Sequence, residues 1–138
     1  MLKKTITFTD YNGSERTEDF YFNLTKAELV ELESSIHGGY LETMARIISA
    51  QDNPTIMQEF KRLILRAYGE KSSDGRRFVK SEELSKAFSE TEAYSELFME
   101  FFQNPDKAVA FFTGIIPVDL RKSYAAADSN QQAPVPAT

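Results

Sequence analysis

Residues 2–9 and 16–24 place the tightest constraint on the fold, because both alternate apolar and polar side chains with a period of two. In the first, Ile6 and Phe8 alternate with Thr5, Thr7 and Thr9. In the second, Phe20, Phe22 and Leu24 alternate with Asp19, Tyr21 and Asn23. Successive side chains of a strand point to opposite faces, so each stretch predicts a strand with one buried face and one wet face. Between them lies DYNGSE, whose Asn12-Gly13 pair favours a hairpin turn. The pattern also bears on register. A two-residue Asn12-Gly13 loop sets Ile6 against Asp19 and Phe8 against Thr17, which mixes apolar and polar residues on one face. A loop with an odd number of residues separates them again. Setting Ile6 opposite Phe20 and Leu2 opposite Leu24 predicts a turn of three residues or more, with room for a bulge.

A lone hairpin is marginally stable and needs a cover over its apolar face. The remaining sequence supplies helices for that purpose. Thr25 and Glu28 have the spacing of a capping box, flanked by Leu24 and Leu29 as a hydrophobic staple. The helix they start is expected to run to about Ile36 and to stop at His37-Gly38-Gly39. A second helix fits residues 40–51, with Leu41, Met44, Ala45 and Ile48 on one face. Asp52 or Asn53 can cap a third, with Pro54 in its first turn and Ile56, Phe60, Leu63, Ile64, Ala67 and Tyr68 along one stripe. Gly69 is expected to end it. Residues 70–80 are a polar connector with a short extended piece at Phe78-Val79. Ser81 then opens a helix that reaches about Phe88.

The last helical stretch is the most aromatic. Tyr94, Leu97, Phe98, Phe101 and Phe102 fall on one helical stripe. Ala108, Phe111, Phe112, Ile115 and Ile116 fall on another. Asn104 and Pro105 between them look like a cap and a first helical position, and Pro117 should close the second helix. Phe98, Phe101 and Phe112 are expected mostly in the core. Phe102 and Phe111, at the flanks of their stripes, are the candidate partner-binding residues. The whole predicts an α+β domain, mostly helical. A β-hairpin over residues 1–24 packs on a bundle of about five to six short helices over 25–117. Residues 1–122 form a single folded domain and residues 123–138 a flexible tail.

Composition narrows the function. A chain of 138 residues that is 41% hydrophobic can build one core. The formal charge of −5, from 16 basic and 21 acidic side chains, argues against nucleic acid and against an anionic membrane surface as partners. No run is long and apolar enough for a membrane span or a secretory signal. Without such a signal, the glycosylation triplets at Asn12 and Asn23 read as chance matches. Cysteine is absent, which fits a reducing compartment. The single histidine, His37, reads as a residue at a helix end. With no cysteine beside it, no transition-metal ligand set forms. GEKSSDGRRF, residues 69–78, has two glycines but lacks the Lys-Ser/Thr of a phosphate loop, so Asp74-Gly75 is a turn. Arg76, Arg77 and Lys80 read as a solvated connector, and Glu28, Glu31 and Glu33 as the wet face of a helix. No catalytic residue, metal or cofactor is assigned, and the chain is not expected to be an enzyme.

The order of these parts carries a resemblance. A Thr-rich hairpin with TDYNGSERTEDFYFNLTKAEL is followed by a helical middle, then by TEAYSELFMEFFQNPDKAVAFFTGIIP and a loose tail. Over roughly residues 3–120 this resembles the tail assembly chaperones of long-tailed bacteriophages that infect Gram-positive bacteria. The resemblance implies a non-enzymatic protein of the infected cell's cytoplasm. Such a protein binds the long, helical tape-measure protein, keeps it soluble and helps tail-tube protein subunits polymerise around it. Many members are also made as a longer frameshifted product. Self-association is left open, and no family-defined contact residue can be transferred. Two rivals stand beside this reading. One is a phage or mobile-element regulator that binds a host protein through an acidic surface. The other is a small enzyme with convergent carboxylates in a pocket.

The composition of residues 123–138, small, polar and proline-bearing, yields the first prediction. Deleting them should leave the melting temperature nearly unchanged, as read by circular dichroism. A fall of many degrees would mean that the segment is docked.

Overall fold

The computed structural model describes residues 1–51 and 53–117. The expected tail over 123–138 and the candidate cap Asp52 lie outside them. So do the side chains of Leu41, Met44, Ala45 and Ile48. Within the described residues the chain runs β1 (Leu2–Thr9), β2 (Glu15–Phe22), α1 (Lys26–Ser34), α2 (Tyr40–Ser49) and α3 (Asn53–Ala67). It continues through β3 (Tyr68–Lys71), β4 (Phe78–Val79), α4 (Glu82–Ser89), α5 (Glu92–Gln103) and α6 (Pro105–Ile115). The architecture is α+β, with an N-terminal hairpin and six helices among the described residues.

The hairpin forms with its apolar face turned inward. Ile6, Phe8 and Phe22 are buried and Phe20 is half-buried. The turn keeps the odd residue count, but the register differs from expectation by two residues. Ile6 faces Glu18 rather than Phe20, and Leu2 faces Phe22 rather than Leu24. The cause is Asp10. Its carboxylate accepts the Asn12 and Ser14 N–H groups at 2.9 and 3.0 Å, and its own N–H donates to the Ser14 carbonyl at 2.8 Å. This closes the turn over residues 10–14, with Gly13 supplying the positive φ of 83°. Arg16 and Glu18 consequently share the apolar side at its open end. They remain exposed there and pair with each other at 3.3 Å, while Arg16 also binds Asp10 at 2.6 Å.

The sheet is larger than a hairpin. Four antiparallel strands stand in the order β1-β2-β3-β4. The piece at Phe78-Val79 is a strand, as expected, and it pairs with β3. Tyr68 departs from the sequence reading: α3 ends at Ala67, and Tyr68 is the first residue of β3. Gly69 explains why this strand tolerates so close a neighbour. A Cβ there would lie 2.7 Å from the Phe78 ring and 2.7 Å from the Val79 carbonyl oxygen.

The helices start where side chains satisfy their first N–H groups. In α1 the Thr25 hydroxyl accepts from Glu28 N–H at 3.1 Å, and the Glu28 carboxylate accepts from Thr25 N–H at 2.8 Å, completing the capping box. Ser81 caps α4 and Thr91 caps α5 with the hydroxyl alone, which accepts from the Leu84 and Tyr94 N–H groups at 3.0 and 3.2 Å. Pro105 is the first residue of α6, and Asn104 precedes it without a side-chain cap bond. The core is a cluster of buried residues from the sheet and from α3 to α6, with an aromatic centre. Phe22 meets Phe111, Phe88 and Tyr68 at ring distances of 5.1, 5.8 and 5.8 Å, and Tyr68 stacks on Phe88 at 4.3 Å.

Two predictions follow from this packing. Gly69→Ala forces the new methyl group against the Val79 backbone, which cannot rotate away. It should cost about 1–3 kcal/mol in urea unfolding. The second concerns Glu28, which also receives the Lys80 ammonium at 2.7 Å. Burial pushes its carboxyl up, but hydrogen bonds from Lys80 and Thr25, together with the Lys80 charge, outweigh burial and hold it below the ordinary value of 4.5. A depressed carboxyl stabilises the fold above its unfolded value and loses that contribution as pH falls through the lower folded value. Glu28→Gln keeps a capping side chain but lacks the charge. Its stability should therefore fall below that of the unaltered chain at neutral pH, and the gap should close as pH drops below about 4.5. Thermal melts across pH would check this.

Candidate partner-binding face

α5 and α6 fold back on each other across the Asn104-Pro105 turn, and their inner stripes enter the core. Ala93, Leu97 and Phe101 are the buried residues of α5, and Ala108, Phe111 and Ile115 those of α6. Phe101 and Phe111 meet at 4.9 Å. Phe111, expected as a flank residue, is thus a core residue at 5% exposure, and its expected surface placement is corrected. The cause is the approach of α6 to the sheet: Phe111 sets its edge on Phe22, which draws the centre of the α6 stripe toward it. Phe112 turns to the flank and is half-buried, packed against both the small Leu32–Tyr40 cluster and the main core. Phe98 is likewise half-buried rather than central, with Tyr94 at 6.1 Å.

Phe102 is 56% exposed. Each residue turns the helix by about 100°, so the residue after the buried Phe101 leaves the core stripe. Met99, three residues earlier on the same side of α5, is 42% exposed, and Val109 on α6 is 58% exposed. Sequence reading missed Met99 and Val109. The signal that could have found them was the angular offset from the stripe formed by Leu97, Phe101, Phe111 and Ile115, once its centre was known.

Met99 also lines a groove of about 450 Å³ between α5 and β1, together with Lys4, Ile6, Glu100, Gln103 and Lys107. Glu96 also lines it, and three of its other charges are linked. The Glu100 carboxylate receives Lys4 at 2.8 Å and Lys107 at 3.6 Å, tying α5 to β1 on one side and to α6 on the other. A second groove of about 410 Å³ lies among α1, α2 and α3, lined by residues that include Leu32, Ile36, Tyr40, Arg62 and Arg66. There the Tyr40 hydroxyl donates to Glu59 at 3.4 Å, and its pKa is pushed up to about 12, first by burial and then by the Glu59 charge. It is therefore a neutral hydrogen-bond donor at any physiological pH.

The other sequence candidates are dispersed. His37 is exposed in the turn after α1, and Arg76 and Arg77 are exposed in the connector between β3 and β4. Lys80 is drawn away from them to Glu28 and to the Asn23 carbonyl, at 2.7 and 2.6 Å. Among the described residues no group of three or more His, Cys, Asp or Glu side chains is placed to hold a metal ion. Nor, among them, is any helix long and apolar enough to cross a membrane.

Fold and face together define a small α+β domain with a partly wet aromatic helix hairpin. Its sequence matches the family model described as phage tail assembly chaperone over residues 1–137, and the chain belongs to that family. No match is found among curated proteins or among solved structures.

Proposed function

We propose that this phage tail assembly chaperone is a non-enzymatic binding protein of the host cytoplasm. It holds the tape-measure protein in soluble form and helps recruit tail-tube subunits to it. One observation carries the choice of surface. Met99, Phe102 and Val109 are exposed on a helix hairpin whose other aromatic residues are buried or half-buried. A long amphipathic helix outside its assembly leaves an apolar stripe in water and aggregates. A partner helix laid against α5 and α6 would cover that stripe, anchored on Phe102. The formal charge of −5 would keep the complex soluble.

The test compares two adjacent residues after co-expression with the tape-measure protein. Phe101→Ala empties a core site and should cost about 3–5 kcal/mol of stability. Phe102→Ala should leave stability within about 0.5 kcal/mol. It should nevertheless weaken capture of the tape-measure protein by about 2 kcal/mol, the loss expected of a binding hot spot. Capture undiminished by Phe102→Ala, in a chain that melts normally, would move the binding surface elsewhere.

A further inference from the structure

β1 is an edge strand, and its outer side carries an ordered row of main-chain groups. The bond from Asp10 N–H to the Ser14 carbonyl fixes which residues these are. In an antiparallel ladder, hydrogen-bonded pairs alternate with non-bonded ones. Counting back from Asp10, the residues Phe8, Ile6, Lys4 and Leu2 turn their main-chain groups to β2. Lys3, Thr5, Thr7 and Thr9 turn theirs to the open edge. The far side of β2 agrees: Asn23 N–H donates to the Ala67 carbonyl at 2.8 Å, so odd-numbered residues there face β3. Among the described residues, nothing hydrogen-bonds to the outward groups of β1.

Edges of this kind are usually blocked by proline, by a bulge or by an inward-pointing charge. β1 runs eight residues without proline, and its pairing to β2 is continuous. Its inward lysine, Lys4, is neutralised by Glu100 at 2.8 Å. Three of the four wet side chains beside the edge are threonines, and the fourth, Lys3, leans toward Asp19 across the sheet at 4.0 Å. Thr5 donates to Asp19 at 2.7 Å, and Thr7 shares a hydrogen bond with Thr17 at 2.9 Å.

We propose that this edge pairs with the same edge of a second copy of the chain, antiparallel about a two-fold axis at Ile6, joining two four-stranded sheets into one. The strand is self-complementary in that register. Lys3 meets Thr9 and Thr5 meets Thr7, so every outward residue meets an outward residue of the other copy. On the inner side Ile6 meets Ile6 and Lys4 meets Phe8. The two Lys4 residues stand four positions apart, about 13 Å along the strand. Sliding the pair to an axis at Thr5 would bring them within about 7 Å, and sliding it the other way would shorten the ladder. Charge and length therefore select the Ile6 axis. Met99 borders the same groove as Ile6, so an apolar side chain that is wet in one copy would approach the axis in the pair. Phe102 and Val109 do not line this groove, so the pairing shares only Met99 with the proposed tape-measure face and does not depend on that reading.

The test is the oligomeric state of the full chain by sedimentation velocity over a wide concentration range. The unaltered chain should shift from monomer to dimer as concentration rises. Thr7→Pro removes an outward N–H that the monomer does not use and, besides it, only the exposed hydroxyl contact with Thr17, so it should still fold and stay monomeric. Thr9→Lys sets a lysine against Lys3 of the other copy and should weaken the dimer. Adding Lys3→Glu to it should restore the dimer, which a nonspecific loss of fold would not do. If Thr7→Pro fails to fold, the Thr9→Lys and Lys3→Glu combination decides alone. A chain that stays monomeric throughout, or a dimer indifferent to these changes, overturns the proposal. So does a monomer whose Thr7→Pro variant loses an extended segment of another protein.

Discussion

Phe22 and the two residues after it hold the molecule together. Phe22 is fully buried, pairs with Leu2 on one side and Tyr68 on the other, and touches the rings of Phe88 and Phe111. The chain then continues extended for two residues, and each does the work of a cap. Asn23 N–H donates to the Ala67 carbonyl at the end of α3, and Leu24 N–H donates to the Ile115 carbonyl at the end of α6, at 3.0 Å. The last carbonyls of a helix have no partner of their own, so a buried helix end needs such a donor. The Asn23 carbonyl in turn receives Lys80. One short stretch thus fixes the ends of two helices, the connector before α4 and the aromatic centre. Loss of any partner would leave a polar group stranded inside the domain.

That junction accounts for what could be read from the sequence and what could not. Thr25 and Glu28, Ser81, and Pro105 act within a few residues, so their spacing alone located helix starts. The inward face of the hairpin was equally legible, because period two leaves little choice about which side is buried. β3 was not legible. Tyr68 continues the helical stripe of Ile64 and Ala67, and only its pairing with Phe22, far away in sequence, pulls it into a strand. The register slipped for a related reason. Apolar matching favoured Ile6 against Phe20, but the Asp10 carboxylate closes the turn over residues 10–14, and the resulting register sets Arg16 and Glu18 on the apolar side, where they stay wet.

The candidate site divides in the same way. Stripe membership of the Phe-Phe pairs could be read from spacing, and it placed Phe101 in the core. Which flank faces water depends on how the helix is rolled against its neighbours. Phe22 decides that for α6: it draws in Phe111 and leaves Phe112 at the edge. For α5 the roll is set by Leu97 and Phe101 together with the tether from Glu100 to Lys4 and Lys107. Phe102 falls on the far side as a result.

The same tether bears on how such a face could bind. Ordering a mobile segment on association consumes binding energy, so a surface held rigid beforehand retains more of it. Glu100 lies between Met99 and Phe101 in sequence and ties α5 to the sheet and to α6. The helix that carries Phe102 is therefore fixed from two directions before any partner arrives. Its inner side is locked by the core and its outer side is left wet, so on the proposed reading one helix serves packing with Leu97 and Phe101 and contact with Met99 and Phe102. Because the two roles fall on residues adjacent in the chain, a change in the outer side chains need not disturb the inner stripe. On the proposed reading, this lets the gripping surface be tuned to a particular tail protein while Phe22 and its neighbours keep the domain intact.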